Sequence, residues 1–462
     1  MNLVLVILIL ILIYVSILKY PKVVNSFMIL LLTDTGGYFG TYFSKGIFTF
    51  GGLFYADFFF FLLFFLVLVQ KKLKIGSFFL NPDAKKVFFI LLVFLIYKLI
   101  IFGYLISGIS DDEYLRYFII RERYNIFSFL IIIPAYLFAM QDLEIFFKIL
   151  IITGTVIALF FIITVITGIE LIPVKGGFRY YGESIQRYYL QNRGLLYLLI
   201  PAAFAVYITK IKIGFRKLLL FGGVCSIVVA AVSLTKGVYI LVLFMIISSL
   251  YIVNKLLDLK ISRLYIRTVF ILAVTFLLIT TFLPEYTENI FRGFGDLYSL
   301  VTGGNYETRE EGRMINQLPA QTLMISQRPF LGTGYGFANL SNQFNLSDYD
   351  VTDLSILGHI MQYGILGFSI YCFFYYRLIL IIKNNYRTIK KIPKNKLLDK
   401  FKYELIFTVI TASYFIGYFS RFFNVSIELT NDMEAFNFYV MTGLLLATYQ
   451  RILNKFNYIN AK

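Results

Sequence analysis

Tryptophan is absent from this chain of 462 residues, histidine occurs once and cysteine twice. Charge is also scarce: 15% of residues carry one, against roughly a quarter in an ordinary soluble domain. So little polar surface could not cover a soluble core of this size. A soluble globular enzyme, a disordered chain and a soluble nucleic-acid binder are therefore excluded. Cys225 and Cys372 both fall inside apolar runs and read as small packing residues. They supply neither a disulfide framework nor a metal or redox centre, which excludes a stapled secreted domain. Without tryptophan, any aromatic belt at a membrane surface must come from the 36 tyrosines.

What is abundant is apolar: 59% of residues are hydrophobic and the mean hydropathy is +0.77. A helix needs about 20 mostly apolar residues to cross a bilayer. Such runs occur at 3–18, 22–38, 50–70, 87–107, 125–140, 145–167, 194–209, 217–235, 237–254, 268–283, 355–382, 405–422 and 434–450. The pattern predicts an all-α polytopic transmembrane bundle, residues 1–462 forming one membrane domain with 12 to 14 spans, 13 being favoured. Met1 to Leu18 lacks the basic start and small-residue cleavage site of a signal peptide, so it reads as a span.

The chain carries 43 Lys+Arg against 26 Asp+Glu, a formal net charge of +17. In a soluble protein that excess would suggest a polyanionic partner. In a membrane protein it records orientation. The segments 71–86, 210–217, 253–267, 383–404 and 451–462 are rich in basic residues, with Lys71, Lys85, Lys210, Lys260, Lys390 and Lys455 among them, and read as cytoplasmic. The segments 108–124, 168–193, 284–354 and 423–433 then face outward. The outer loop 284–354 holds nine acids, and its four bases, Arg292, Arg309, Arg313 and Arg328, are all arginine. The loop 168–193 adds Arg179, Arg187 and Arg193, with Lys175 as its one lysine. Arginine's planar fork suits phosphate recognition in a partly dry site, so the outer arginines point toward a phosphate-bearing substrate. The plainer reading is scattered surface ion pairs.

A loop of this length is long for a mere connection. Met314, Leu318, Gln321, Thr322, Ile325 and Ser326 predict a helix within it near the membrane surface, with Pro319 as a kink.

Four local patterns occur in order. Phe178-Arg-Tyr-Tyr-Gly182 is followed by Gln191-Asn192. Ser233-Leu-Thr-Lys236-Gly237 lies between two spans. Gly312-Arg313 precedes Gln321 and then Pro329-Phe-Leu-Gly332-Thr-Gly334-Tyr-Gly336. Thr352-Asp353 is followed eleven residues later by Gly364-Ile-Leu-Gly367. Together, over roughly residues 175–380, the set resembles the Wzy-type O-antigen polymerase and O-antigen ligase superfamily, which includes SEDS-like glycosyltransferases. Departures are visible. Lys236 stands where the family usually has Arg, and no Trp follows Arg313. Asp353 stands where ligases of the superfamily place His-Asn, and resembles the essential Asp of SEDS peptidoglycan polymerases. The three glycines 332, 334 and 336 are no dinucleotide fingerprint, because no βαβ unit surrounds them; they predict a tight turn returning the loop to the membrane.

The resemblance implies a polymerase that transfers sugar from polyprenyl-diphosphate-linked oligosaccharide repeats on the outer face of a bacterial plasma membrane. Its leaving group is a lipid diphosphate, whose growing charge preorganised cations can stabilise. On this reading Arg313 and Arg179 hold the diphosphate, with Arg187, Arg309 and Lys236 as further ligands and Arg193 nearby. Asp353 takes the acceptor hydroxyl proton or orients the acceptor. Outer acids are not spaced as a metal cage, so no metal and no cofactor is expected. Arg313 has a plainer reading as an ion pair with Glu310 or Glu311, and Asp353 as the N-cap of the helix that follows. His359, the sole histidine, reads as a hydrogen-bonded bundle residue, with catalysis the alternative. Expected partners are the lipid-linked oligosaccharide, the bilayer, and chain-length regulator or flippase proteins, with no nucleic acid. A ligase is the alternative within the superfamily. A transporter or flippase is the alternative outside it, although the two halves show no convincing internal repeat.

Overall fold

The computed structural model describes residues 74–106, 128–169, 171–172, 174–178, 186–190, 195–233, 236–258, 318–332, 355–421 and 432–460, besides positions 26, 29, 273, 277, 280 and 281. The described residues are helical except for one two-stranded ribbon and short connections. In chain order they form α1 (Ile75–Leu80), α2 (Pro82–Ile106), a 3-10 turn at Ser128–Ile131, α3 (Ile132–Gln141) and α4 (Leu143–Thr167). The ribbon β1 (Val174–Phe178) and β2 (Gln186–Leu190) follows, then a 3-10 turn at Leu196–Leu198, α5 (Leu199–Thr209), α6 (Arg216–Val232) and α7 (Lys236–Leu257). Beyond these lie α8 (Leu318–Gln327), α9 (Ser355–Lys390), α10 (Lys394–Asp399), α11 (Lys402–Arg421) and α12 (Asp432–Asn460).

Helices thus stand at the runs expected from hydropathy between 87 and 254 and between 355 and 450. The runs at 3–18, 22–38, 50–70 and 268–283 lie outside the described residues, apart from a few single positions. Among the described residues, three helices are long and apolar enough to cross a membrane: Leu143–Thr167, Val238–Leu257 and Tyr363–Lys390. Phe129–Gln141 and Leu196–Thr209 are shorter apolar helices.

Local chemistry sets the helix ends. Asn81 accepts from the N–H groups of Asp83 (2.9 Å) and Ala84 (3.1 Å), and Pro82 occupies the first position of α2, where its missing N–H costs nothing. The Asp142 carboxylate caps α4 through Ile145 N (2.9 Å), and Gly168 ends it at φ 71°. Small residues then let helices meet closely. A Cβ on Gly222 of α6 would sit 2.2 Å from Thr155 Oγ1 of α4, and one on Gly443 of α12 2.7 Å from the Ile132 carbonyl of α3.

The outward faces remain apolar. Ile152, Val156, Phe160, Ile163 and Ile166 make an exposed stripe on α4; Phe89, Val93, Ile96 and Ile100 make another on α2. Spaced three or four residues apart, each set occupies one helical face, suited to lipid rather than water. Cys225 is buried as expected, but Cys372 is exposed on α9, so packing does not explain it.

Described residues in or beside the basic segments 71–86, 253–267, 383–404 and 451–462 meet one another. Glu404, 1% exposed, accepts from Arg451 Nε (3.1 Å) and Lys455 Nζ (2.7 Å). Arg451 also donates to the Met140 carbonyl at the α3–α4 turn (2.7 Å). Asn81 donates to Gln450 (3.0 Å), Arg377 pairs with Asp83 (3.1 Å) and Lys394 with Asp258 (3.4 Å).

Two expectations change. The run 355–382 is not one straight span: Gly364 adopts φ 63°, ψ 179° and breaks α9. The rings of His359 and Tyr371 lie 5.5 Å apart, although twelve residues of straight helix would separate their Cα atoms by about 18 Å. The piece before Gly364 therefore folds back against the piece after it. Pro319, expected to kink its helix, instead falls in the first turn of α8, where no intrahelical bond is lost.

Candidate functional site

The break in α9 is where two of the four sequence patterns meet. A helix that restarts exposes backbone N–H groups without intrahelical partners. Here Ile365 N donates to the Pro329 carbonyl (2.9 Å) and Leu366 N to the Phe330 carbonyl (3.2 Å). The turn that provides these carbonyls ends α8: Gly332 N donates back to the Arg328 carbonyl (3.0 Å), and Gly332 has φ 76°. The Pro329-Phe-Leu-Gly332 segment is thus a tight turn that caps the Gly364-Ile-Leu-Gly367 pattern directly; Gly334 and Gly336, expected in the same turn, lie outside the described residues.

Glycine is required at the contact. A Cβ on Gly364 would lie 2.1 Å from the Phe330 carbonyl oxygen, and its φ/ψ pair is open essentially to glycine alone. Gly367 is set against Tyr97 of α2, whose ring carbon Cε1 would be 2.5 Å from an added Cβ. The Tyr97 hydroxyl donates to the Tyr363 carbonyl, with those of Leu331 (3.2 Å) and Phe330 (3.4 Å) beside it.

Beneath the break lies an aromatic stack. His359 is 4% exposed, with its ring nearly parallel to those of Tyr363 (5.7 Å) and Tyr371 (5.5 Å). Phe94 of α2 meets both tyrosines, at 5.4 and 6.3 Å. The imidazole thus stacks against two tyrosine rings inside the bundle.

The other predicted residues divide as follows. Arg179, Arg193, Arg309, Arg313 and Asp353 lie outside the described residues. By sequence, Asp353 stands two residues before the first piece of α9, and Arg313 five residues before α8. Both therefore sit on chain leading into the elements joined at the break. Arg187 lies in β2, its Cα paired with Gly177, two residues from Arg179 in the chain. The strands on either side of the first pattern thus form an antiparallel ribbon, which the helical expectation did not include. Lys236 is the first residue of α7. Before it Ser233 closes α6, bonded through Oγ to Ala230 (2.7 Å), and the Tyr239 hydroxyl reaches back to Ala231 (2.7 Å). β2 packs on α6. The antiparallel fit of α5 on α6 places Ala203 beside Gly223, and Leu196 bonds Ser226 (3.2 Å).

Two features contribute no acid, base or cation. An apolar cavity of about 150 Å³ between α5 and α6, walled by Ile200, Phe204, Tyr207, Leu220 and Ile227, lacks charged groups. Among the described residues, no group of three or more His, Cys, Asp or Glu could hold a metal ion. Sequence reasoning missed Tyr97, which belongs to no motif. It also missed Glu404, which reads in sequence only as an acid among cytoplasmic bases.

Compared with known proteins, the chain matches no family model and no curated protein sequence.

Proposed function

We propose that the chain is a membrane glycosyltransferase that polymerises polyprenyl-diphosphate-linked oligosaccharide repeats on the outer face of a bacterial plasma membrane. The observation that carries this reading is the docking of Pro329–Leu331 on Gly364–Gly367. Two patterns separated by more than thirty residues touch through backbone hydrogen bonds, which gives their co-occurrence a physical reason. In sequence, Arg313 and Asp353 shortly precede the two helices that this contact joins. In the proposed reaction Arg313 and Arg179 stabilise the diphosphate as its bond to the sugar lengthens. Arg187, Arg309 and Lys236 extend that cationic surface. The Asp353 carboxylate accepts the proton of the attacking hydroxyl.

The topology behind this reading has 13 spans and places 284–354 outside. It is supported by the basic segments 71–86, 383–404 and 451–462 meeting through Asn81, Glu404, Arg451 and Lys455.

A broken helix is also a transporter feature, in which half-helix N-termini face an anionic substrate. At Gly364 those amides are already bonded to the Pro329 and Phe330 carbonyls, which disfavours that role. The deciding experiment is deletion of the chain in its native cell, followed by gel analysis of surface polysaccharide. Loss of the long-chain ladder with single repeats retained supports polymerisation. Accumulation of unattached long polymer would indicate a ligase, and an unchanged profile would exclude both.

A further inference from the structure

In an unbroken helix the Tyr363 carbonyl would accept from the Gly367 N–H, four residues on. At the Gly364 break that carbonyl takes a donor from another helix. The Tyr97 hydroxyl of α2 donates to the Tyr363 carbonyl. A side chain from another helix is thus inserted at the break, against the carbonyl just before Gly364, a recognised way to hold a kink. The same hydroxyl lies 3.2 and 3.4 Å from the Leu331 and Phe330 carbonyls of the docked turn. Its ring leaves no room for a side chain at 367. One phenol therefore touches three segments: α2, the turn after α8, and both pieces of α9.

We propose that Tyr97 is a positioning residue. Its inserted hydroxyl holds α9 bent and the Pro329–Leu331 turn docked, and so keeps the two patterns of the proposed site joined. The positioning role rests on the glycosyltransferase reading; the inserted hydroxyl does not.

The test uses the full chain in lipid nanodiscs, wild type and Tyr97→Phe, which keeps the ring and removes the hydroxyl. Hydrogen exchange at the 365–367 amides reads the break directly. Losing one inserted hydroxyl is expected to speed that exchange about tenfold. Unchanged exchange would overturn the inserted-hydroxyl assignment, whatever reaction the protein performs. Turnover is read with the lipid-linked oligosaccharide fraction extracted from cells lacking this chain. A positioning role predicts that Tyr97→Phe lowers kcat at least tenfold with KM for that fraction unchanged, whereas Tyr97→Leu, which also removes the ring, loses fold and activity together. Faster exchange with full wild-type kcat would overturn positioning. If wild type itself elongates nothing, the glycosyltransferase reading fails and positioning with it, while the exchange arm still decides the inserted hydroxyl.

Discussion

Gly364→Ala is the most informative single substitution, because the structure separates its two costs. The first is conformational: at φ 63°, ψ 179° an alanine sits in a region essentially reserved for glycine, at about 1–3 kcal/mol. The second is steric: the added Cβ would lie 2.1 Å from Phe330 O and 2.3 Å from Phe330 C, both backbone atoms that cannot rotate away. Relief requires the turn to retreat by about an ångström, which breaks the bonds from Ile365 and Leu366, each worth about 1 kcal/mol net. Together the substitution disfavours the docked turn by about 4 kcal/mol, on the order of a thousandfold. Gly168→Ala is the internal control. It also has positive φ, at 71°, but nothing lies within 4 Å of the new Cβ, so it costs only about 1 kcal/mol. Amide exchange at Ile365 and Leu366 in the purified chain should rise steeply in Gly364→Ala and stay at the wild-type rate in Gly168→Ala. Equal, wild-type exchange in both variants would refute the docking argument.

Three further substitutions separate roles that the geometry leaves distinct. Glu404→Gln removes a carboxylate that is 1% exposed and leaves Arg451 and Lys455 facing each other, so detergent thermal stability should fall by about 2–3 kcal/mol. The exposed Glu144–Lys148 pair, also 2.7 Å, should cost no more than about 0.5 kcal/mol when Glu144→Gln is made; equal losses would mean burial does not set the difference. His359→Phe preserves the stack with Tyr363 and Tyr371, so polymer should still form, and abolished polymer in a stably folded variant would instead make the imidazole catalytic. Asp353→Asn retains much of an N-cap's hydrogen bonding but no base; polymer length should collapse, and full-length product would remove the base assignment.

Helix positions were legible because apolar runs of span length have few other uses. The 87–107 run became α2 from Pro82, and 434–450 became α12 to Asn460, longer because basic and polar residues continue the helix beyond an apolar core. The fold-back at Gly364 was not legible. A glycine in an apolar run also serves close helix packing, as Gly222 and Gly443 do, and only the φ/ψ pair tells the cases apart. The ribbon Val174–Phe178 with Gln186–Leu190 was hidden by its glycines, although Tyr188-Tyr189 carried a β signal. The motifs pointed to the Gly364 region, but Tyr97 could not be found from them: a tyrosine among 36 gives no sign of which carbonyl its hydroxyl meets. Glu404 was obscured likewise, since a loop's net charge does not reveal one buried acid.

Reconstitution tests the proposed function most directly. The purified chain in nanodiscs is supplied only with the lipid-linked oligosaccharide fraction from cells lacking it, and products are resolved by size. A ladder rising in whole repeat units, lost on Arg313→Ala, is the expected result. Repeats that stay single with the wild-type chain, or a ladder indifferent to Arg313→Ala, would contradict it.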